Sequence, residues 1–205
     1  MFVRVLYGEY HCGVGKFIIH HYFVEGGRRF ALCSCHMRIL GIDPGLASTG
    51  YGVIDTDGHS SRLLECGCVS TRPGEPLAER LERIHDELAA VIEKWRPETV
   101  SLEQLFFCAN VRTAVSVAQG RGVAILATAK ARIPLAEYTP LQIKQALVGY
   151  GHASKPQVEK MVRAILGIRE NLATTHAADA LAAAICHAHS LKFARLAEAA
   201  IRRRK

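Results

Sequence analysis

The chain has 205 residues, 49% hydrophobic and 22% charged, a composition that excludes disordered, collagen-like and fibrous classes. Its seven cysteines are odd in number, scattered over positions 12, 33, 35, 66, 68, 108 and 186, and form no CxxC pair. They indicate neither a disulfide framework nor a zinc ribbon and predict a reducing, cytoplasmic setting. A net charge of +7 invites a polyanionic partner, and no apolar run approaches the roughly 20 residues of a membrane span.

Residues 1–36 differ from the rest. They hold 7 of the 14 aromatic residues and no element of clean period, and they lack the apolar core and cleavage site of a signal peptide. This segment reads as an N-terminal extension, either disordered or joined by a start-site choice. Intact mass of the native protein tests the latter, and a species beginning at Met1 would contradict it.

From Met37 the pattern sharpens. Arg38 to Asp43 is an apolar strand ended by Pro44-Gly45, whose residue types suit the central positions of a type II turn. Strands follow near Thr49 to Asp55 and Arg62 to Ser70, separated by the Asp57-Gly58 hairpin signal. Pro76 to Trp95 places Leu77, Leu81, Ile84, Leu88, Val91 and Ile92 on one helical face, and Pro97 stops that helix. A short strand, Thr99 to Leu102, leads to Glu103; an apolar helix covers Val111 to Lys130, and Pro134 to Tyr138 reads as a fifth strand. Helices are predicted over Pro140–Val148, Pro156–Leu166 and Thr175–Ser190, followed by a basic, frayed tail over 191–205. The order predicts an α/β domain over 37–190 with a five-stranded mixed sheet flanked by helices.

Charge is polarised along this domain. Residues 37–103 carry 12 acidic and 7 basic side chains, whereas 104–169 carry 2 acidic and 9 basic. A polyanion would meet the second half.

Asp43 and Glu103 lie at the carboxyl ends of predicted strands, where open α/β sheets place ligands. Taken singly, Asp43 is turn chemistry and Glu103 a solvated strand end. Asp179 is harder to dismiss, because it sits in His176-Ala-Ala-Asp179-Ala-Leu-Ala, an alanine-rich helix suited to close packing on a sheet. A carboxylate on such a surface costs several kcal/mol unless paired, hydrogen-bonded or metal-bound, and no cation is close in sequence. His176 is one turn away on the same face, and its spacing fits a polar residue at a helix start as well as a ligand. Three carboxylates at one sheet edge suit a pair of hard divalent cations, the arrangement that activates water in phosphodiester hydrolysis.

The stretch from Met37 through Gly41-Ile42-Asp43-Pro44-Gly45 to Ile54, with Glu103-Gln-Leu-Phe106-Phe and His176-Ala-Ala-Asp179-Ala-Leu-Ala, resembles the RuvC family of Holliday junction resolvases over nearly all of 37–190. The resemblance implies an RNase H-like fold, a homodimer, paired symmetric nicks in four-way junction DNA, and two Mg²⁺ ions per site with Mn²⁺ able to substitute. It further implies metal-binding, catalytic roles for Asp43, Glu103 and Asp179. His176 falls where many members carry a fourth acid and others a histidine, leaving its role open between ligand and water-positioning group. Phe106 matches a base-stacking aromatic, with a core role as its competitor. Lys144 and Lys155 match phosphate-contacting positions, and a RuvA-RuvB branch-migration complex is the implied partner. Two other classes share part of this pattern. A sugar-kinase-like ATPase shares the Asp-x-Gly hairpin but needs a second phosphate loop; a non-catalytic junction-binding protein leaves the carboxylates without purpose, since acids repel DNA.

Overall fold

The computed structural model describes residues 4–12, 15–23, 36–104 and 111–202, and the chain divides into two compact units, Met1–Cys35 and His36–Lys205. In the first unit β1 (Arg4–Cys12) and β2 (Gly15–Phe23) form an antiparallel hairpin in which Cys12 faces Gly15. Sequence patterning gave no element here. Aromatic and β-branched residues favour strands, yet they occur in clusters that hide the period of two.

The second unit carries a five-stranded mixed sheet in the order β5-β4-β3-β6-β7. β3 (Met37–Asp43), β4 (Ser48–Thr56) and β5 (Ser61–Ser70) form an antiparallel meander, and β6 (Thr99–Glu103) and β7 (Leu135–Tyr138) extend it in parallel from β3. The β4–β5 turn uses the anticipated residues: Gly58 has φ of 86°, and the Asp57 carboxylate accepts from the amides of His59 and Ser60, each at 2.7 Å.

Strand alternation sorts the sheet into two faces. Leu40, Ile42, Val53, Val100 and Leu102 point to the face covered by α1 (Leu77–Trp95) and α2 (Val111–Lys130), where they join Ile84, Leu88 and Ala124 in one buried cluster. The intervening positions face α5 (Thr175–Arg202). There the sheet offers glycine: a Cβ added to Gly41 would lie 2.0 Å from the Ala180 carbonyl oxygen, and one on Gly50 would lie 2.0 Å from that of His176. The helix answers with Ala177, Ala180, Ala183 and Ala184, all fully buried. Small residues on both surfaces let the backbones approach closely, as the alanine run had suggested.

Helices α3 (Pro140–Val148) and α4 (Lys155–Leu166) complete the domain. Thr139 and Gln142 form a reciprocal capping box, with Gln142 N to Thr139 Oγ1 at 3.2 Å and Thr139 N to Gln142 Oε1 at 2.9 Å. Helix α5 runs past its predicted end at Ser190 to Arg202. Residues 191–202 contain neither glycine nor proline and are rich in good helix formers, so no stop signal exists there. Among the described residues no helix is long and apolar enough to cross a membrane, and Cys66, Cys68 and Cys186 are free thiols.

Candidate active site

Asp43 and Glu103 end the adjacent parallel strands β3 and β6, whose register pairs Ile42 with Leu102. The two carboxylates therefore emerge side by side at the carboxyl edge of the sheet. Across the other ladder Asp43 faces Gly50, and the missing side chain of that glycine admits the first turn of α5. This brings His176 over Asp43, with Nδ1 2.7 Å from Asp43 Oδ2. An ionised Asp43 carboxylate can only accept, so Nδ1–H is then the donor in this contact.

Asp179 does have a cationic partner: Lys155 Nζ donates to Asp179 Oδ2 at 3.0 Å. Sequence spacing hid this contact, because Lys155 opens α4 and lies 24 residues away. The lysine, which matches a phosphate-contacting position, thus stands at the edge of the acidic cluster. Asp43 and Asp179 side chains are only 18% and 22% exposed against 72% for Lys155, so the carboxylates form the floor and the ammonium the rim.

The electrostatics register this crowding. Burial, followed by the charges of Asp43 and Asp179, pushes the Glu103 carboxyl up to about 7, with Lys155 and Lys144 opposing. Burial likewise raises Asp43, countered by the hydrogen bond from His176 and reinforced by the charge of Asp179. The Lys155 ammonium is held above its ordinary range, chiefly by its hydrogen bond to Asp179.

Among the described residues no three His, Cys, Asp or Glu side chains are gathered at ligating distance. The donor set nonetheless fits a hard divalent cation. Three carboxylates share one desolvated edge at an energetic cost visible in the raised Glu103, and a cation placed among them relieves that cost. Asp43 and Asp179 each spend one oxygen on His176 and Lys155, and those contacts would reorganise when a cation binds.

Two further features are structural findings. Gly45 does not adopt the left-handed conformation that a type II turn requires of its glycine, so that reading of Asp43-Pro44-Gly45 is corrected. The glycine serves close packing: a Cβ on it would lie 2.4 Å from the Ser48 carbonyl oxygen, and one on Gly120 of α2 would lie 2.8 Å from the Gly45 backbone. Arg121, unanticipated, donates to the Glu103 main-chain carbonyl at 2.9 Å and to Glu137 at 2.5 Å, tethering the end of β6 to α2 and β7. Its signal was faint, a lone charge inside the apolar run of α2. Phe106 lies outside the described residues.

A family model described as crossover junction endodeoxyribonuclease RuvC matches residues 39–187. The chain belongs to the RuvC family. A RuvC relative from Pelotomaculum thermopropionicum is 52% identical over 153 residues, covering 75% of this chain and 93% of its own length. One from Chloroflexus aggregans is 50% identical over 154 residues, covering 75% and 94%. The solved structure of T. thermophilus RuvC in complex with Holliday junction substrate superposes with a TM-score of 0.75 at 42% identity, covering 78% of this chain and 97% of that one. The RNase H-like sheet with its flanking helices is thus the fold of RuvC structures, and the chain is an endodeoxyribonuclease of that family. RuvC membership carries dependence on a divalent metal. Asp43, Glu103, His176 and Asp179 all fall within the matched span.

Proposed function

We propose that this chain resolves Holliday junctions in recombination and repair by paired symmetric nicks, with Asp43, Glu103 and Asp179 holding two Mg²⁺ ions, or Mn²⁺ in their place. The observation that carries this reading is the convergence of three carboxylates at the carboxyl edge of β3 and β6, crowded enough to drive Glu103 up to about 7. Such ions supply an activated water and stabilisation of the leaving oxygen.

The chain's own groups divide the remaining work. His176 stands against Asp43, where it serves either as a further ligand to the second ion or as the group that positions the attacking water. Burial raises Asp43, and the hydrogen bond from His176 opposes that rise. Lys155 and Lys144 supply positive charge at the rim, where the scissile strand's phosphates must enter, and Lys155 screens Asp179 until that exchange. Phe106 stacks on a base at the opened crossover, worth about 1–3 kcal/mol. A symmetric pair of nicks requires two copies. Val115 and Leu126 on α2 stand 52% and 53% exposed at a spacing of three helical turns, an apolar face suited to a second copy of the chain. The RuvA-RuvB complex is the expected source of its junction substrate, and residues 1–36 and 191–205 flank the nuclease domain.

An end-labelled synthetic four-way junction incubated with protein and Mg²⁺ tests this proposal. Symmetric nicks in two opposed strands, abolished by EDTA, are expected. Binding without metal-dependent nicks would support a non-catalytic junction-binding protein.

A further inference from the structure

Leu181 of α5 seats on Gly52, and the Ala180 and His176 carbonyls face Gly41 and Gly50, so close packing holds the helix on the sheet. Directional bonds add to that packing on this face. Ser101 Oγ donates to the Ala183 carbonyl at 2.8 Å, and His187 bonds both Thr99 Oγ1 at 2.9 Å and Tyr138 OH at 2.7 Å. His176, Ala180, Ala183 and His187 follow one another at intervals of four, three and four, and so form a single stripe along the helix. The stripe is about 16 Å long at 1.5 Å per residue.

His187 Nε2 lies 2.9 Å from Thr99 Oγ1, which also reaches the Pro134 carbonyl at 3.2 Å, and Nδ1 lies 2.7 Å from the Tyr138 hydroxyl. Burial pushes the imidazole down to about 4, which keeps it neutral, so one ring nitrogen donates and the other accepts. Both partners belong to the strands beside the site. Tyr138 pairs with Glu103 across the β6–β7 ladder, and its carbonyl accepts from the amide of Gln104 at 2.8 Å.

We infer that His187 is a positioning residue for the nuclease reaction: by pinning α5 to β6 and β7 it sets the axial register that holds His176 and Asp179 against Asp43 and Glu103. This rests on the active-site assignment proposed above. Even a small displacement of α5 would move two active-site groups together.

The test compares His187→Leu, His187→Gln, Tyr138→Phe and Asp179→Asn in the full chain, reading junction nicking with Mg²⁺ and, separately, melting temperature. His187→Leu is expected to lower kcat about 10–100-fold with KM unchanged. His187→Gln, which retains one donor and one acceptor, should recover most of kcat, and a purely structural role would not produce that split or that rescue. Tyr138→Phe keeps the ring and the ladder and should lose a smaller share of kcat; it decides the matter if His187→Leu does not fold. A kcat within about twofold of the parent in folded His187→Leu and Tyr138→Phe, or losses confined to KM or melting temperature, would overturn the inference while loss of nicking in Asp179→Asn upheld the site. Intact nicking in Asp179→Asn would instead remove the site assignment and this inference with it.

Discussion

On the α1/α2 face of the sheet, branched side chains such as Ile42, Leu102 and Leu88 interlock with no solvent exposure; on the α5 face, Leu181 and Ile185 are buried as fully, but alanines also lie over glycines and hydrogen bonds join helix to strands. The first face removes large apolar area from water and supplies stability. The second also brings helix backbone against strand backbone, which is what places a histidine and an aspartate from α5 beside two strand-end acids. Positioning of the site thus belongs to one side of the sheet, and mutations on the two sides should differ.

The largest effect is expected at the site itself. Asp43→Asn should lower junction nicking by about 10²–10³-fold while leaving the melting temperature equal or higher, since it removes a buried charge and, with it, the repulsion from Asp179. A nicking assay and a thermal melt on one preparation check both halves. Leu88→Ala should do the reverse. It removes a fully buried side chain from the α1 layer, costing about 2–5 kcal/mol in denaturant unfolding, with kcat of the folded fraction unchanged.

Acid should attack the α5 face selectively. His187 titrates at about 4 when folded against about 6.5 when unfolded, so below 6.5 the unfolded chain takes up a proton that the folded chain refuses. Its contribution is fully present above pH 6.5 and lost as pH falls toward 4, roughly 3 kcal/mol in all. Unfolding curves over that window should flatten in His187→Gln, and an unchanged slope would contradict the buried neutral imidazole. Smaller still is Gly50→Ala. The added methyl meets the His176 backbone and should cost about 1–3 kcal/mol, with a loss of kcat that a comparable destabilisation on the α1 face does not produce.

What was legible in the chain follows the same division. The five strands of the mixed sheet, α1 and the acids Asp43 and Glu103 could be read because apolar period and strand ends are local properties of sequence, whereas β1 and β2 could not. The Lys155–Asp179 pair could not, since it joins the starts of two helices brought together only by the fold. Arg121 was equally hidden, because its target is a main-chain carbonyl that any residue would present. Pro44-Gly45 was read for its residue types as a type II turn, whereas steric room against Ser48 and Gly120 accounts for the glycine. Helix α5 is longer than the sequence predicts because the basic tail carries no helix stop, and charge alone does not end a helix.

Cleavage mapping on a four-way junction with Glu103→Gln beside the parent chain bears most directly on the central claim. The parent should nick two opposed strands at symmetric positions in Mg²⁺, while Glu103→Gln binds the same junction with undiminished affinity and leaves every strand intact. Equal nicking by both proteins would contradict the assignment of the carboxylate edge as the catalytic centre.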